Sequence, residues 1–241
     1  MYILENKVTL ITGASRGIGF AIARSFEKEG AQLALTAIQN LEILKEFKSA
    51  KVYEFDLLNQ TIIQDLVKSV VRDFGRIDIL VNNASVFKQT NFEDITAFEL
   101  DNIIKANFEG VFLLTQEVFK YMKKQKGGKI INITSIAAQL GSGRAAHYAS
   151  AKAAQGSFTK SIAKLGGLYN INVNAVAPGF IETDMIKDML RDRREDIVAS
   201  IPLARIGTPD DVAGLVLFLA SNNSNYITGQ TICVDGGFSM I

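Results

Sequence analysis

The chain has 241 residues, which suits one large α/β domain or two small ones, and at 48% hydrophobic it can bury a sizeable core. Its 26 basic and 25 acidic residues nearly cancel, so it offers neither the basic stripe of a nucleic-acid binder nor a polybasic membrane patch. A single Cys and a single His exclude an intrachain disulfide and argue against a His/Cys zinc site; no metal is expected.

Apolar runs at 8–12, 32–36, 52–55, 77–81, 129–134, 172–177 and 231–234 read as strands. Amphipathic patterns at 18–29, 40–48, 60–74, 97–124, 148–166 and 209–220 read as helices between them. Continuous apolar strands alternating with helices predict an α/β fold: one doubly wound parallel sheet of about seven strands, with helices on both faces. One domain is expected over 1–241, since no linker, repeat or low-complexity stretch divides it. Residues 179–208 lack a strand and are rich in charge, with Asp184, Lys187, Asp188, Arg191, Asp192, Arg193 and Arg194, so a lid is expected near 182–200. Cys233, in Thr-Ile-Cys-Val, reads as a small core residue of a buried strand. Tyr2-Ile3-Leu4 is too short for a signal segment and the run 212–220 too short to span a bilayer, so a cytoplasmic protein is expected.

The first strand runs into Thr-Gly-Ala-Ser-Arg-Gly-Ile-Gly at residues 12–19, with glycines at 13, 17 and 19. The spacing differs from G-x-G-x-x-G, and no Gly-Lys-Ser/Thr ending makes it a P-loop. The physics is shared: glycine lets backbone approach a pyrophosphate, and the following helix offers unpaired N–H groups. Ser135 follows the strand at 129–134, at the carboxyl end where open α/β sheets bind ligands. Tyr148 and Lys152, four apart on a helix, share a face, and a nearby cation favours phenolate over phenol. His147 beside Ser135 raises a Ser-His-Asp hydrolase, but the Gly-x-Ser-x-Gly elbow is missing, and His147 reads as a helix-start residue. Asn107 sits inside a long helical pattern, where Asn is a poor choice. A break beside Gly110 that frees a carbonyl for water is expected there. After the second strand the chain reads Leu35-Thr36-Ala37-Ile38-Gln39, without the carboxylate that would accept from a ribose 2′-OH. Arg16, with a hydroxyl from Thr36, would instead suit a 2′-phosphate, which selects NADP(H).

Thr12–Gly19, Asn82-Asn83-Ala84, Asn107, Ser135, Tyr148, Lys152 and Pro178-Gly179 together resemble the short-chain dehydrogenase/reductase family across essentially the whole chain. The resemblance implies a Rossmann-like fold and assigns roles. Ser135 would hold a substrate carbonyl, and Tyr148 would protonate it. Lys152 would tune that phenol and bind the nicotinamide ribose, and Asn107 would support a water relay to Lys152. Gly13, Ser15, Arg16, Gly17, Ile18 and Gly19 would cradle the dinucleotide, with Thr36, Asp56 and Leu57 at the adenosine end. Asn83, Ala84, Pro178, Gly179, Ile181 and Thr183 would line the nicotinamide end. Residues 178–185, 226–230 and 234–237 resemble the 3-oxoacyl-[acyl-carrier-protein] reductases, which implies a thioester substrate on acyl carrier protein, fatty acid biosynthesis and a homotetramer with helices near 97–124 and 148–166 at one interface. Two basic groups, Lys120, Lys123, Lys124, Lys126 and Lys129, and Arg191, Arg193 and Arg194, would receive an acidic carrier. The alternatives are a family reductase for another ketone, secondary alcohol or coenzyme A ester, a nucleotide sensor without turnover, and an epimerase or dehydratase relative. The chain departs from the family pattern at Ser85, where Gly is usual, over Val86-Phe87-Lys88-Gln89-Thr90, which lacks a Met-rich stretch, and at Tyr169, where carrier-protein reductases often have Arg.

Overall fold

The apolar runs pair side by side in parallel, and the chain's order across the sheet creates the crevice that matters here. In the computed structural model, which describes residues 2–240, the strands are β1 Val8–Ile11, β2 Gln32–Ala37, β3 Ala50–Glu54, β4 Ile79–Asn82, β5 Gly128–Ile133, β6 Ile171–Pro178 and β7 Thr231–Val234. They form one seven-stranded sheet in the order β3-β2-β1-β4-β5-β6-β7, and every pairing is parallel. The chain winds outward from β1 to β3, then returns past β1 to β4. Loops after β1 and β4 therefore leave in opposite directions and open a crevice at the carboxyl ends of the strands.

Helices α1 Gly17–Lys28 and α8 Pro209–Ala220 cover one face, burying Ile22, Phe26, Val212 and Val216 against Ile11, Leu33 and Val81. On the other face, α2 Ile63–Phe74, α4 Gly110–Gln125 and α6 Ala146–Gly166 cover Val8, Leu10, Leu80 and Ile130. The central strands are mostly apolar because both faces are covered. The predicted fold class is the observed one. Helix α8 matches its predicted bounds because its start is strongly marked: Thr208 and Asp211 form a reciprocal capping box, and Pro209 opens the helix.

Other predicted elements differ for local reasons. The expected helix at 97–124 is three pieces: α3 Ala97–Ile104, a π-helical turn Lys105–Glu109 and α4. The irregularity ends where Gly110 packs on Leu57, so closely that a Cβ would lie 2.9 Å from the Leu57 carbonyl. The pattern at 40–48 yields only a 3₁₀ turn, Leu41–Glu46, entered from Asn40 in a left-handed conformation. The charged segment holds a 3₁₀ turn Asp184–Ile186 and α7 Lys187–Ala199, which buries Leu190 and Ile197 and is kinked at Arg193. Between β5 and α6 lies a one-turn helix, α5 Ala137–Leu140. Cys233 is not a core residue. β7 has a strand neighbour on one side only, and its four residues are all half-buried.

A short polar column crosses the core beneath the crevice. Asn82 and Asn132 face each other in register on β4 and β5. Asn82 Nδ2 donates to Asn132 Oδ1 at 2.8 Å and to Thr115 of α4 at 2.9 Å, while Asn132 Nδ2 donates to Thr159 of α6 at 2.9 Å. This column clips two helices to the sheet just below Ser135 and Tyr148. Replacing Asn132 by Ala leaves one Asn82 amide proton without an acceptor in the core, while Asn82 keeps Thr115 and the Thr159 hydroxyl keeps the Gln155 carbonyl. Chemical denaturation is expected to show a loss of about 1–3 kcal/mol.

Candidate active site

The glycine loop is built by exchange between β1 and β4. Thr12 Oγ1 accepts from the backbone N–H groups of Asn83 and Ala84, each at 3.0 Å. Asn83 Nδ2 returns two bonds, to Thr12 O at 2.9 Å and Gly13 O at 3.0 Å. The loop turns at Gly13 and Gly17, with φ of +65° and +55°, values that favour glycine. Helix α1 begins at Gly17 with no side-chain cap and no acidic residue in its first turn. Its first N–H groups and its positive dipole end thus face the cleft, a donor set suited to a pyrophosphate. Gly19 does not reach the cleft. It lets α1 lie against the loop, because a Cβ there would run into Gly13 O and the Asn83 amide.

From this loop a cavity of about 790 Å³ runs along the carboxyl ends of the strands to Phe238. Its walls include Gly13, Ser15, Arg16, Gly17 and Ile18 at one end, Asp56 and Leu57 beside them, and Asn83, Ala84, Ser135, Tyr148 and Lys152 further along. Pro178, Gly179, Ile181 and Thr183 close the far side. These dimensions and donors fit a dinucleotide lying across the switch point. Thr36 is a correction. Its side chain is inside the sheet with its hydroxyl unpartnered, and Ala37, Ile38, Gln39 and Asn40 line the cleft instead. β2 runs one residue further than expected, to Ala37, so the strand's alternation turns Thr36 inward. Among the described residues, no three His, Cys, Asp or Glu side chains converge on a metal site, and no helix is long and apolar enough to cross a membrane.

Asn107 is also placed differently from expectation. It is fully buried in the π-helical turn and does not line the cleft. Its carbonyl, expected to hold water, accepts from the Gln155 side chain of α6. Its amide holds the loop after β4: Oδ1 accepts from Ser85 Oγ at 2.6 Å and Val86 N at 3.1 Å, and Nδ2 donates to Val86 O at 2.7 Å and Ile103 O at 3.1 Å.

Tyr148, Lys152 and Ser135 converge at the middle of the cleft. Ser135 Oγ accepts from Ala137 N at 3.1 Å, which leaves its own proton free to donate. Tyr148 stacks edge-on against Phe87, with centroids 5.0 Å apart. Burial pushes the phenol's pKa up, while the Ser85 and Ser135 hydroxyls beside it pull the other way. Lys152 Nζ lies 5.8 Å from the phenol ring centroid and donates to Ile133 O at 2.8 Å. Burial lowers the Lys152 pKa to about 7, so its charge is close to balance at neutral pH. Burial thus acts on both groups, raising the phenol's pKa and lowering the ammonium's. His147 is buried in the first turn of α6, with Nε2 3.0 Å from Glu99 Oε1. Glu99 also takes Lys88 and Thr90, and these contacts, the Lys88 one foremost, hold its pKa below the usual range.

A family model described as "Enoyl-(Acyl carrier protein) reductase" matches residues 13–239. The chain belongs to the short-chain dehydrogenase/reductase family. It is 42% identical to the 3-oxoacyl-[acyl-carrier-protein] reductase FabG of Thermotoga maritima, over 97% of this chain and 98% of the relative. It is 41% identical to the 3-oxoacyl-[acyl-carrier-protein] reductase of Synechocystis, over the full length of both. A 3alpha-hydroxysteroid dehydrogenase of Mediterraneibacter gnavus is 39% identical over 97% of each chain. The solved structure titled "Crystal structure of gox2181" superimposes with a TM-score of 0.95 at 29% identity, covering 99% of this chain and 97% of that one. The protein is thus an oxidoreductase of this family, and 3-oxoacyl reductases are prominent among its relatives.

The packing at Gly19 gives a test of the loop. Gly19→Ala should displace Gly13 or Asn83 and open the cradle. Fluorescence titration with NADPH is expected to show at least roughly tenfold weaker binding, with a lowered thermal midpoint, since an overpacked contact of this kind costs about 1–3 kcal/mol.

Proposed function

We propose that this short-chain reductase converts a 3-oxoacyl thioester, carried on acyl carrier protein, to the 3-hydroxyacyl thioester with NADPH, as a cytoplasmic homotetramer. The observation that carries the reading is the meeting of Ser135, Tyr148 and Lys152 at mid-cleft, next to an apolar wall that includes Val86, Phe87, Met189 and Phe238. Gly13, Gly17 and the amino end of α1 would hold NADPH, which would supply the hydride for the carbonyl carbon. The free Ser135 proton donates to the carbonyl oxygen and polarises it. Tyr148 gives its proton to that oxygen as charge develops there. Lys152, its ammonium charged in part near neutral pH, steadies the phenolate that remains and offers donors to a ribose. The apolar wall excludes water and suits an acyl chain.

The absence of a carboxylate at Ala37–Asn40 supports NADPH over NADH. Arg16 supports it too: its guanidinium is highly exposed, 3.9 Å from Asp184, and free to turn to a 2′-phosphate. For the carrier, the lid's Arg191, Arg193 and Arg194 are the better docking group, and Arg193 itself lines the cleft. The lysine group is at the wrong edge. Lys129 pairs in register with Ile79 and Asn172, at the amino ends of the strands, and is nearly buried, donating to Ser224 and Asn225. The exposed Phe112, on α4, and Leu165, on α6, support an interface between copies along those helices.

The steroid dehydrogenase relative and the apolar wall favour a second reading, a hydroxysteroid or similar alcohol as substrate. A panel of 3-oxoacyl thioesters and 3-oxosteroids with NADPH separates the two. The first reading predicts the higher kcat/KM on the thioesters, and Tyr148→Phe should lower kcat by about 10²–10⁴-fold with NADPH affinity retained. Preference for the steroids, or full turnover by Tyr148→Phe, overturns it.

A further inference from the structure

Glu99 stands in a pattern that usually serves the helix itself. Thr96-Ala-Phe-Glu99 has the spacing of a reciprocal cap at the start of α3, and Thr96 does its half, accepting from Glu99 N at 3.2 Å. Glu99 does not return the bond. Among the described residues its carboxylate takes Lys88, Thr90 and His147 instead, the last at 3.0 Å. Two of these partners come from the loop after β4 and the third from α6. Only 11% of the Glu99 side chain and 1% of the His147 side chain are exposed. An exposed ion pair alone would hold little. A mostly buried carboxylate shared by three donors from two other segments holds more.

The neighbours of the gripped loop residues face the other way. Phe87 and Gln89 line the cleft, while Lys88 and Thr90 reach Glu99. Phe87 sets its ring edge-on against Tyr148, with 5.0 Å between centroids. From the other side, His147 directly precedes Tyr148 in α6. An ionised carboxylate can only accept, so His147 Nε2 carries the proton of their bond. Nδ1 is buried without a partner, which leaves Glu99 as the polar tie of this ring.

We propose that Glu99 is a positioning residue for Tyr148: by gripping Lys88 and Thr90 it turns Phe87 and Gln89 toward the substrate, and by gripping His147 it braces the helical turn that carries the phenol. This rests on the proposed reductase reading. Alternate side chains held in this way give the loop two faces, and a slip of one residue would exchange them, as it does in a strand. Gln89 would then leave the cleft and Phe87 the phenol. Glu99 does not itself line the cleft, so it acts through these neighbours.

Two variants separate the grips. Glu99→Gln keeps an acceptor for Thr90 and His147 but turns an NH2 group toward Lys88. Lys88→Met together with Thr90→Val frees the loop and keeps the His147 bond. In both, hydrogen–deuterium exchange of the backbone amide at position 90, which donates to Arg144 O at 2.9 Å, should be about tenfold faster, the scale of a hydrogen bond to a charged group. With 3-oxoacyl thioesters, kcat should fall and KM for the thioester rise, a joint loss of about ten- to a hundredfold in kcat/KM, while NADPH affinity by fluorescence titration is unchanged. Lys88→Arg, which keeps the cation, should retain the parent kinetics. Phe87→Ala should reproduce the loss, and adding the loop pair to it should cost little more, because both act through one contact. Unchanged kinetics in both variants overturn the proposal, as do losses that multiply in the Phe87→Ala background. A lowered thermal midpoint with kcat and both KM values kept also overturns it, marking Glu99 as a structural tie alone. Should the parent protein reduce no thioester or steroid, the reductase reading fails, and exchange at position 90 still decides whether Glu99 holds this loop.

Discussion

The side-chain amide of Asn107 has every hydrogen-bonding position filled by protein, and the cleft is assembled around it. Its oxygen takes the Ser85 hydroxyl and the Val86 N–H, and its nitrogen donates to the Val86 and Ile103 carbonyls. Its backbone carbonyl takes Gln155 from α6. One buried residue thereby fixes three parts: the loop after β4, the end of α3, and the helix that carries Tyr148 and Lys152. Asn107 lies within the π-helical turn Lys105–Glu109, and irregular turns of this kind recur at functional sites. An unpartnered buried amide costs about 1–3 kcal/mol per group, so the arrangement holds only as a whole.

The same logic governs the rest of the crevice. The Asn82–Asn132 pair fastens α4 and α6 to the sheet, and the Thr12–Asn83 exchange fastens the glycine loop to β4. Polar ties surround the centre, whereas Met189 and Phe238 give one end of the cleft an apolar wall. Burial then sets the chemistry. It pushes the Tyr148 phenol toward its protonated form and the Lys152 ammonium toward its neutral form. Hydroxyls at 85 and 135 oppose the first effect.

Much of this was legible in the sequence, and the reasons differ by residue. The parallel sheet followed from apolar runs covered on both faces, and the α8 start from Thr208-Pro209-Asp210-Asp211. The glycine loop and Ser135 could be placed because each follows a strand at its carboxyl end, and Tyr148 and Lys152 because residues four apart on a helix share a face. Thr36 was misplaced because a one-residue change in where β2 ends reverses which side chains face the cleft. Cys233 looked buried because an edge strand carries the same apolar residues as a central one. The lysines near 120–129 looked like one patch because sequence proximity does not show which edge of the sheet they occupy or that Lys129 is buried. Gln155, Glu99 and Phe87 gave no signal, since their roles depend on contacts between distant segments. Ser85 was visible only as a departure from the family pattern; its partner Asn107 needed the fold.

The account stands most directly on Asn107 holding the loop at Ser85-Val86. Hydrogen–deuterium exchange of the Val86 backbone amide, compared between the parent protein and Asn107→Ala, measures that hold. Loss of the Asn107 acceptor is expected to speed exchange at Val86 by about ten- to a hundredfold, the scale set by a hydrogen bond of about 1–3 kcal/mol, while amides in the central strands keep their protection. Unchanged protection at Val86 would contradict the account, because the loop would then be held by something other than this amide.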